Sequence, residues 1–248
     1  MAHLFISAAH KSSGKTTLSI GLCAALKNQG LSVQPFKKGP DYIDPMWLSR
    51  AAGRPCYNLD FHTQTHNEIL SSFGYHGFGA DISIIEGNKG LYDGLDLDGS
   101  NSNAALATML DSPVILVIDT QGMTRGIAPL ILGYQAFEPD INIAGVILNQ
   151  LGGSRHESKL LTVIEHYTDV PVVGAVHRNP DLNIQERHLG LVPSNEAASV
   201  EQQIQSAASL IKDQVDLTQL QQIAETSAPP EKSLPALSLI HISEPTRL

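Results

Sequence analysis

Short apolar runs alternate along the chain with longer stretches in which apolar residues recur every three or four positions. These are the two periods of buried strands and one-sided helices. The runs are Leu4–Ile6, Val33–Phe36, Ile82–Ile85, Val114–Ile118, Ala144–Leu148 and Val172–Val176. Most lack the in–out alternation of a half-solvated strand, so they predict strands covered on both faces. Between them the spacing predicts helices over Thr17–Asn28, His66–Phe73, Ala104–Leu110, Ile127–Phe137 and Ser154–Tyr167. A last amphipathic helix, roughly Ser194–Asp216, closes a domain expected to span 1–224. Gly74–Gly79, with aromatics between its glycines, reads as a loop before a strand, and no internal repeat is found. The alternation predicts an α/β fold: a mostly parallel sheet with helices on both faces.

The first strand-to-helix junction carries the most chemistry. Behind Leu4-Phe5-Ile6 comes Ala9-His10-Lys11-Ser12-Ser13-Gly14-Lys15-Thr16-Thr17, then a helix through Leu18, Ile20, Leu22 and Leu26. A helix start presents unpaired N–H groups and the positive end of its dipole, so phosphate oxygens bind there. Ser12, Ser13, Gly14, Lys15, Thr16 and Thr17 form a candidate phosphate loop. In such a loop Lys15 reaches the β- and γ-phosphates and the Thr16 hydroxyl serves Mg²⁺. Ala9 stands where the P-loop pattern has its first glycine. The plain alternative is a Ser/Gly turn capping an ordinary helix; the flanking strand and apolar helix favour the P-loop, and with it a P-loop NTPase-like sheet.

In open α/β sheets ligands gather at the carboxyl ends of the strands, and these ends are rich in chemistry. The second is followed by Lys37-Lys38-Gly39-Pro40-Asp41-Tyr42-Ile43-Asp44-Pro45. Its lysines suit phosphate or carboxylate and its aspartates suit Mg²⁺ or the waters around it, while a solvated charged turn is the bland alternative. The next run ends in Glu86-Gly87-Asn88-Lys89-Gly90-Leu91-Tyr92-Asp93-Gly94. A carboxylate ending a buried strand is costly unless used, so Glu86 is a candidate for Mg²⁺, with Asp93 facing substrate. Asp119 supports the metal shell through its waters, and Arg125 offers an anion clamp. Asn149 either reads adenine or caps the next helix. His62 and His66 share a helical spacing without a third ligand nearby, and Cys23 reads as core packing.

Composition narrows the class. The formal net charge of −9 argues against a nucleic-acid surface, and no stretch is long and apolar enough to span a membrane,. Two isolated cysteines and the absence of an export signal point to the cytoplasm,.

Several blocks together resemble cobyrinic acid a,c-diamide synthases. They are Pro35–Pro45, Asn58-Leu59-Asp60, Glu86-Gly87 through Gly90-Leu91-Tyr92-Asp93-Gly94, and Arg187-His188-Leu189-Gly190-Leu191. The likeness covers about residues 1–200. It implies a P-loop synthetase domain related to dethiobiotin synthetase, followed by a glutamine amidotransferase domain. It further implies that ATP with Mg²⁺ phosphorylates a peripheral carboxylate of a corrin-type tetrapyrrole and that ammonia, drawn from glutamine, displaces the phosphate. Lys15, Asp41, Asp44, Glu86 and Asp93 are then the catalytic positions. Thr16, Asp41 and Glu86 become the metal side, and Lys37, Lys38, Tyr42, Arg125 and Arg187 the substrate side.

Two departures qualify the likeness. Asn88-Lys89, with Asp98–Asn103 and Pro193–Glu196, looks more like the branch that amidates sirohaem. In addition, Glu225–Ala236 reads as a linker, and 237–248 resembles translated sequencing adapter and is set aside. The chain is thus expected to be a fragment without the glutaminase, limited to free ammonia. A competing class is the ParA-like ATPase that positions cargo by ATP-driven dimerisation. His10 stands where those proteins place a lysine, and the Lys37–Pro45 block has no purpose in such a switch. A homodimer is left open.

Overall fold

The computed structural model describes residues 2–179, 186–187, 190–191 and 200–227. The linker beyond 227, the tail 237–248, positions 188–189 and 193–196, and the Arg187 side chain lie outside the described residues.

Seven parallel strands form the main sheet: β1 (Ala2–Ala8), β2 (Val33–Lys38), β3 (Tyr57–Leu59), β4 (Ile82–Glu86), β5 (Val114–Asp119), β6 (Ile143–Leu151) and β7 (Val172–His177). Their order across the sheet is β3-β2-β4-β1-β5-β6-β7. The first strand is therefore central, paired on one side with β4 and on the other with β5. Being covered on both faces, it has no use for polar alternation. Leu4, Ile6 and Ala8 enter a core shared with α1 (Lys15–Asn28), α2 (Ile43–Ala52), α7 (Val200–Gln214) and α8 (Leu217–Glu225). Phe5 enters the opposite core, with α3 (His66–Gly77), α4 (Asn103–Met109), α5 (Ile127–Phe137) and α6 (Ser154–Tyr167). Two residues of each of β8 (Glu186–Arg187) and β9 (Gly190–Leu191) pair antiparallel apart from the sheet.

The predicted strands and the helices of 127–137 and 154–167 are found, each strand running a little further toward its carboxyl end. Three expectations change. The Lys37–Pro45 block is not wholly a turn, because α2 starts inside it. Asp41 Oδ1 accepts the N–H groups of Ile43 at 2.9 Å and Asp44 at 3.2 Å, and Pro45 falls in the first turn, where a missing N–H costs nothing,. Fully buried Trp47 then draws this helix onto α1's core.

Gly74–Gly77 is not a loop but the last turn of α3. The helix survives its glycines because Ile69 and Phe73 are buried and the His76 ring stacks on Tyr57 at 3.5 Å between centroids,.

The expected final helix is found as α7, and a further, unexpected helix follows it. After Gln214 the chain bridges to β7, and Asp216 Oδ1 accepts the Gln219 N–H at 2.9 Å to start α8. Ser227 closes that helix against β1, its Oγ accepting the His3 N–H at 3.1 Å. The packed chain therefore runs past 224. At Gly21 a side chain would meet Ile211 at 2.6 Å, so this glycine lets α7 cross close over α1.

Candidate active site

The loop between β1 and α1 is built around two left-handed residues, Ser12 (φ 63°) and Gly14 (φ 87°). Helix α1 has no side-chain cap and no acidic residue in its first turn, so its leading N–H groups are left for a ligand,. The Ser13 hydroxyl donates to the His10 carbonyl at 2.7 Å and pins the turn. Asn149, at the carboxyl end of β6, donates from Nδ2 to the Ser13 carbonyl at 2.9 Å. A side chain on Gly14 would lie 2.3 Å from that Nδ2, so this position needs glycine for space as well as for φ,. Asn149 thus braces the phosphate loop through one of its two amide N–H donors, and the cap position of α6 falls to Gly153,. Gln150 beside it (φ 61°) marks the strand irregularity that turns it there.

Beside the loop, β2, α2 and β4 bring one lysine and two carboxylates onto the Thr16 hydroxyl. Thr16 Oγ1 donates to Glu86 Oε1 at 2.6 Å and lies 3.3 Å from Asp44 Oδ2. Lys37 Nζ contacts the same two oxygens, Asp44 Oδ2 at 2.6 Å and Glu86 Oε1 at 2.9 Å. Asp41 stands further off, at 3.9 Å from Lys37, with its other oxygen spent on the start of α2. The structure therefore joins Thr16 and Glu86 as expected but supplies Asp44, not Asp41, as the nearer carboxylate. Glu86 Oε2 is buried with no hydrogen-bond partner.

Electrostatics sharpen this cluster. Burial pushes Glu86 above the usual carboxylate range, opposed by Lys37 and by the Thr16 hydroxyl. Burial likewise disfavours the Lys37 charge, but Glu86 and Asp44 outweigh it and hold the ammonium firmly protonated. Lys15, also buried, is lowered by desolvation against the pull of Glu86. Burial and the neighbouring Asp44 charge raise Asp41.

The turn after β4 is held separately. Asp93, exposed, accepts the Gly90 N–H at 2.9 Å through Oδ2. Buried Asn103, which sequence reasoning missed, donates to the Gly90 carbonyl at 2.8 Å and accepts the Asn88 N–H at 3.2 Å. Nothing in an Asn at a helix start marks such a role, since a cap has the same residue preference. Tyr134 of α5 was also missed: its hydroxyl donates to the Ala9 carbonyl of the phosphate loop. Its position in an apolar helix reads simply as core.

Of the expected substrate contacts whose side chains are described, Lys37 is in the cluster and Lys38, Tyr42 and Arg125 are not. Tyr42 is 81% exposed at the rim. Arg125 is turned to α6, where Nη2 donates to the Tyr167 hydroxyl at 3.0 Å and the guanidinium lies over its ring. Asp119 accepts the Gln121 N–H at 2.9 Å. Lys38 is buried, donating to the Asn101 carbonyl at 2.8 Å and lying 5.7 Å over the Phe61 ring.

Desolvation pulls Lys38 down to about 8 from the ordinary 10.5. Between those values the folded chain binds fewer protons than the unfolded one, so stability rises with pH across this window. Lys38→Met is expected to remove ~2 kcal/mol of that rise. Urea unfolding of both proteins at either end of the window reads it, and parallel slopes would refute the assignment.

With this geometry in hand, the comparisons are specific. A family model described as the CobQ/CobB/MinD/ParA nucleotide binding domain matches residues 5–192. The chain belongs to that family. It is 48% identical over 226 residues to a cobyrinate a,c-diamide synthase of Magnetococcus marinus, which covers 91% of this chain and 48% of that protein. Enzymes of the same name from Methanosarcina acetivorans (43% identity, 93% of this chain, 49% of theirs) and Listeria monocytogenes (40%, 98% and 55%) are also similar. The chain spans about half the length of these curated relatives.

Among solved structures, the signal recognition particle receptor FtsY from Elizabethkingia anophelis in complex with GDP matches at TM-score 0.50 and 15% identity. That match covers 84% of this chain and 63% of FtsY. It concerns the fold alone, and agrees with an α/β P-loop architecture.

Proposed function

We propose that this chain is the synthetase half of a cobyrinate a,c-diamide synthase, activating peripheral carboxylates of a corrin-type tetrapyrrole with ATP and Mg²⁺ for amidation. The observation that carries the reading is the convergence of Thr16, Glu86, Asp44 and Lys37 beside an uncapped P-loop helix. The names of the relatives supply the substrate class.

The residues fit a nucleotide with its metal. Leading N–H groups of α1 and the Lys15 ammonium suit the β- and γ-phosphates. The unpartnered Glu86 Oε2 is an unused ligand oxygen next to the Thr16 hydroxyl. Among the described residues no three His, Cys, Asp or Glu side chains are disposed to hold an ion alone. Thr16, Glu86 and Asp44 would therefore hold Mg²⁺ together with phosphate oxygens and water, its usual manner. Bound there, the ion would neutralise charge developing on the transferred phosphoryl group.

The chain's own residues do the rest. Lys37 cancels charge on the carboxylate pair, so that anionic phosphate and an anionic substrate carboxylate can approach each other. Lys15 and the α1 N–H groups stabilise the phosphoryl oxygens without reorganising. Asp93, exposed on its turn, is available to orient the incoming amine. Ammonia would come from glutamine through a further domain, as the relatives' greater length allows.

The test is incubation with ATP, Mg²⁺ and ammonium, offering cobyrinic acid and sirohaem in parallel and reading products by mass. Exchange of carboxyl for amide on cobyrinic acid, dependent on ATP, supports the proposal. Exchange on sirohaem alone would overturn the substrate, and ATP hydrolysis with neither product would overturn the synthetase in favour of a switch.

A further inference from the structure

The phosphate loop is held from its far end by a residue that none of the sequence motifs contains. Ala9 donates its N–H to the Val117 carbonyl at 3.0 Å, and its own carbonyl accepts the Tyr134 hydroxyl. Gly90 also lies against that carbonyl: a side-chain carbon there would stand 3.0 Å from it and 2.7 Å from Asp93 Oδ2. The next residue, Leu91, donates its N–H to the Ala8 carbonyl at 2.8 Å. The Ala9 peptide is thus clasped between β5, α5 and the turn that carries Asp93.

Tyr134 is itself fixed. It lies in the last turn of α5, where a backbone carbonyl has no partner within the helix,. The Tyr92 hydroxyl donates to that carbonyl, and the two rings lie 5.3 Å apart, with Phe137 packed on Tyr92 at 4.9 Å. Burial and the Asp93 charge raise the Tyr134 phenol, so it stays a hydrogen-bond donor at neutral pH.

We propose that Tyr134 is a positioning residue of the nucleotide site, its hydroxyl fixing the Ala9 carbonyl and so the path of the phosphate loop into α1. The pattern glycine is absent at this position, and an alanine has fewer backbone conformations to lose; Tyr134 selects one of them. Asn149 holds the Ser13 carbonyl in the same way at the loop's other end. Phosphate binding by oriented N–H groups demands that both ends stay in place, because the groups act only when aimed together.

The proposal rests on the reading of this loop as a nucleotide site, and its test separates the two. Affinity for Mg²⁺·ATP and Mg²⁺·ADP is measured calorimetrically on the chain, on Lys15→Ala and on Tyr134→Phe, alongside the thermal midpoint without nucleotide. Tyr134→Phe keeps the ring and its packing against Tyr92 and loses only the O–H. It is expected to bind both nucleotides about tenfold more weakly, the cost of one hydrogen bond, with its midpoint little changed.

Absence of binding by the parent chain would overturn the nucleotide-site reading itself. Binding that Lys15→Ala abolishes and Tyr134→Phe leaves at the parent value would overturn the role of Tyr134 alone. A lowered midpoint with unchanged affinity would likewise make Tyr134 a stability residue only. If Tyr134→Phe does not fold, Tyr92→Phe removes the hydroxyl that holds the Tyr134 carbonyl and so loosens the same clasp. Weaker nucleotide binding by the folded Tyr92→Phe protein supports the proposal, and parent-like affinity overturns it.

Discussion

Lys15→Ala is expected to lower ATP-dependent turnover by about 10³-fold in kcat/KM while leaving the thermal midpoint no lower than that of the parent. The two halves of this result have one cause. Lys15 stands at the start of α1, only 7% exposed, at the positive end of the helix dipole,. Neither its burial nor the Lys37 ammonium nearby favours its charge, and desolvation lowers its pKa although Glu86, Asp44 and Asp93 pull the other way. An ammonium held at such a place adds little to folding; on the proposed reading of this loop, phosphate would offset the cost of its burial. Removing it therefore costs function and spares or improves stability, as active-site residues commonly do. Lys15→Arg should not rescue turnover, since the larger planar guanidinium does not replace a compact point charge. A variant that loses turnover only in proportion to a lowered midpoint would show that Lys15 serves the fold.

The legible part of this protein was its strands and the residues at their carboxyl ends. Buried strands announce themselves as unbroken apolar runs, and the chain's charged residues had to be placed where those runs end. Thr16 and Glu86 are accordingly expected together, and the structure joins them; it adds Lys37, expected on the substrate side, to the same pair. What stayed illegible depends on a third dimension. Asp41 and Asp44 look equivalent in sequence; only the start of α2 decides that Asp41 caps N–H groups and Asp44 meets Lys37. That helix was itself hidden, because Gly39, Pro40 and Pro45 signal a turn while Trp47 pulls the chain into helix. Arg125, three residues after the Gly122 turn, could point to either side. The exposed Tyr167 ring of α6 gave it a partner. Asn149 carries two equally good readings in sequence, base contact or helix cap, and the brace on the Ser13 carbonyl beside Gly14 is a role that only the packed loop reveals.

The strongest effect on stability is expected from Lys37→Met. Lys37 is 3% exposed and carries the only ammonium within ion-pair distance of Glu86 among the described residues. A buried pair gives little net stabilisation, but removing one member strands the other, at about 3–5 kcal/mol. Here the stranded group is a fully buried carboxylate, already pushed upward by burial and by the Asp44 charge. Without Lys37 its folded-state pKa rises further above the unfolded value. The folded chain then binds more protons than the unfolded one in the interval between them, so stability falls as pH rises through it. The loss caused by Lys37→Met should consequently be smaller near pH 5 than near pH 8.

A second change distinguishes stranded charge from simple loss of packing. Glu86→Gln keeps an acceptor for the Thr16 hydroxyl at the same place and removes the charge. In the Lys37→Met/Glu86→Gln protein part of the lost stability should return and the pH dependence added by Lys37→Met should shrink, while Asp44, which also loses Lys37, keeps the recovery incomplete,. Urea unfolding of the four proteins of this cycle at both pH values supplies the numbers. Additive losses, equal at both pH values, would mean that the ammonium stabilises by filling space, and that Glu86 does not depend on it for its charge. The expected non-additive result carries a functional corollary. A carboxylate that the fold retains only with a cation beside it agrees with the proposed metal role, in which a divalent ion arriving with phosphate oxygens would share the charge of Glu86 and Asp44 with Lys37.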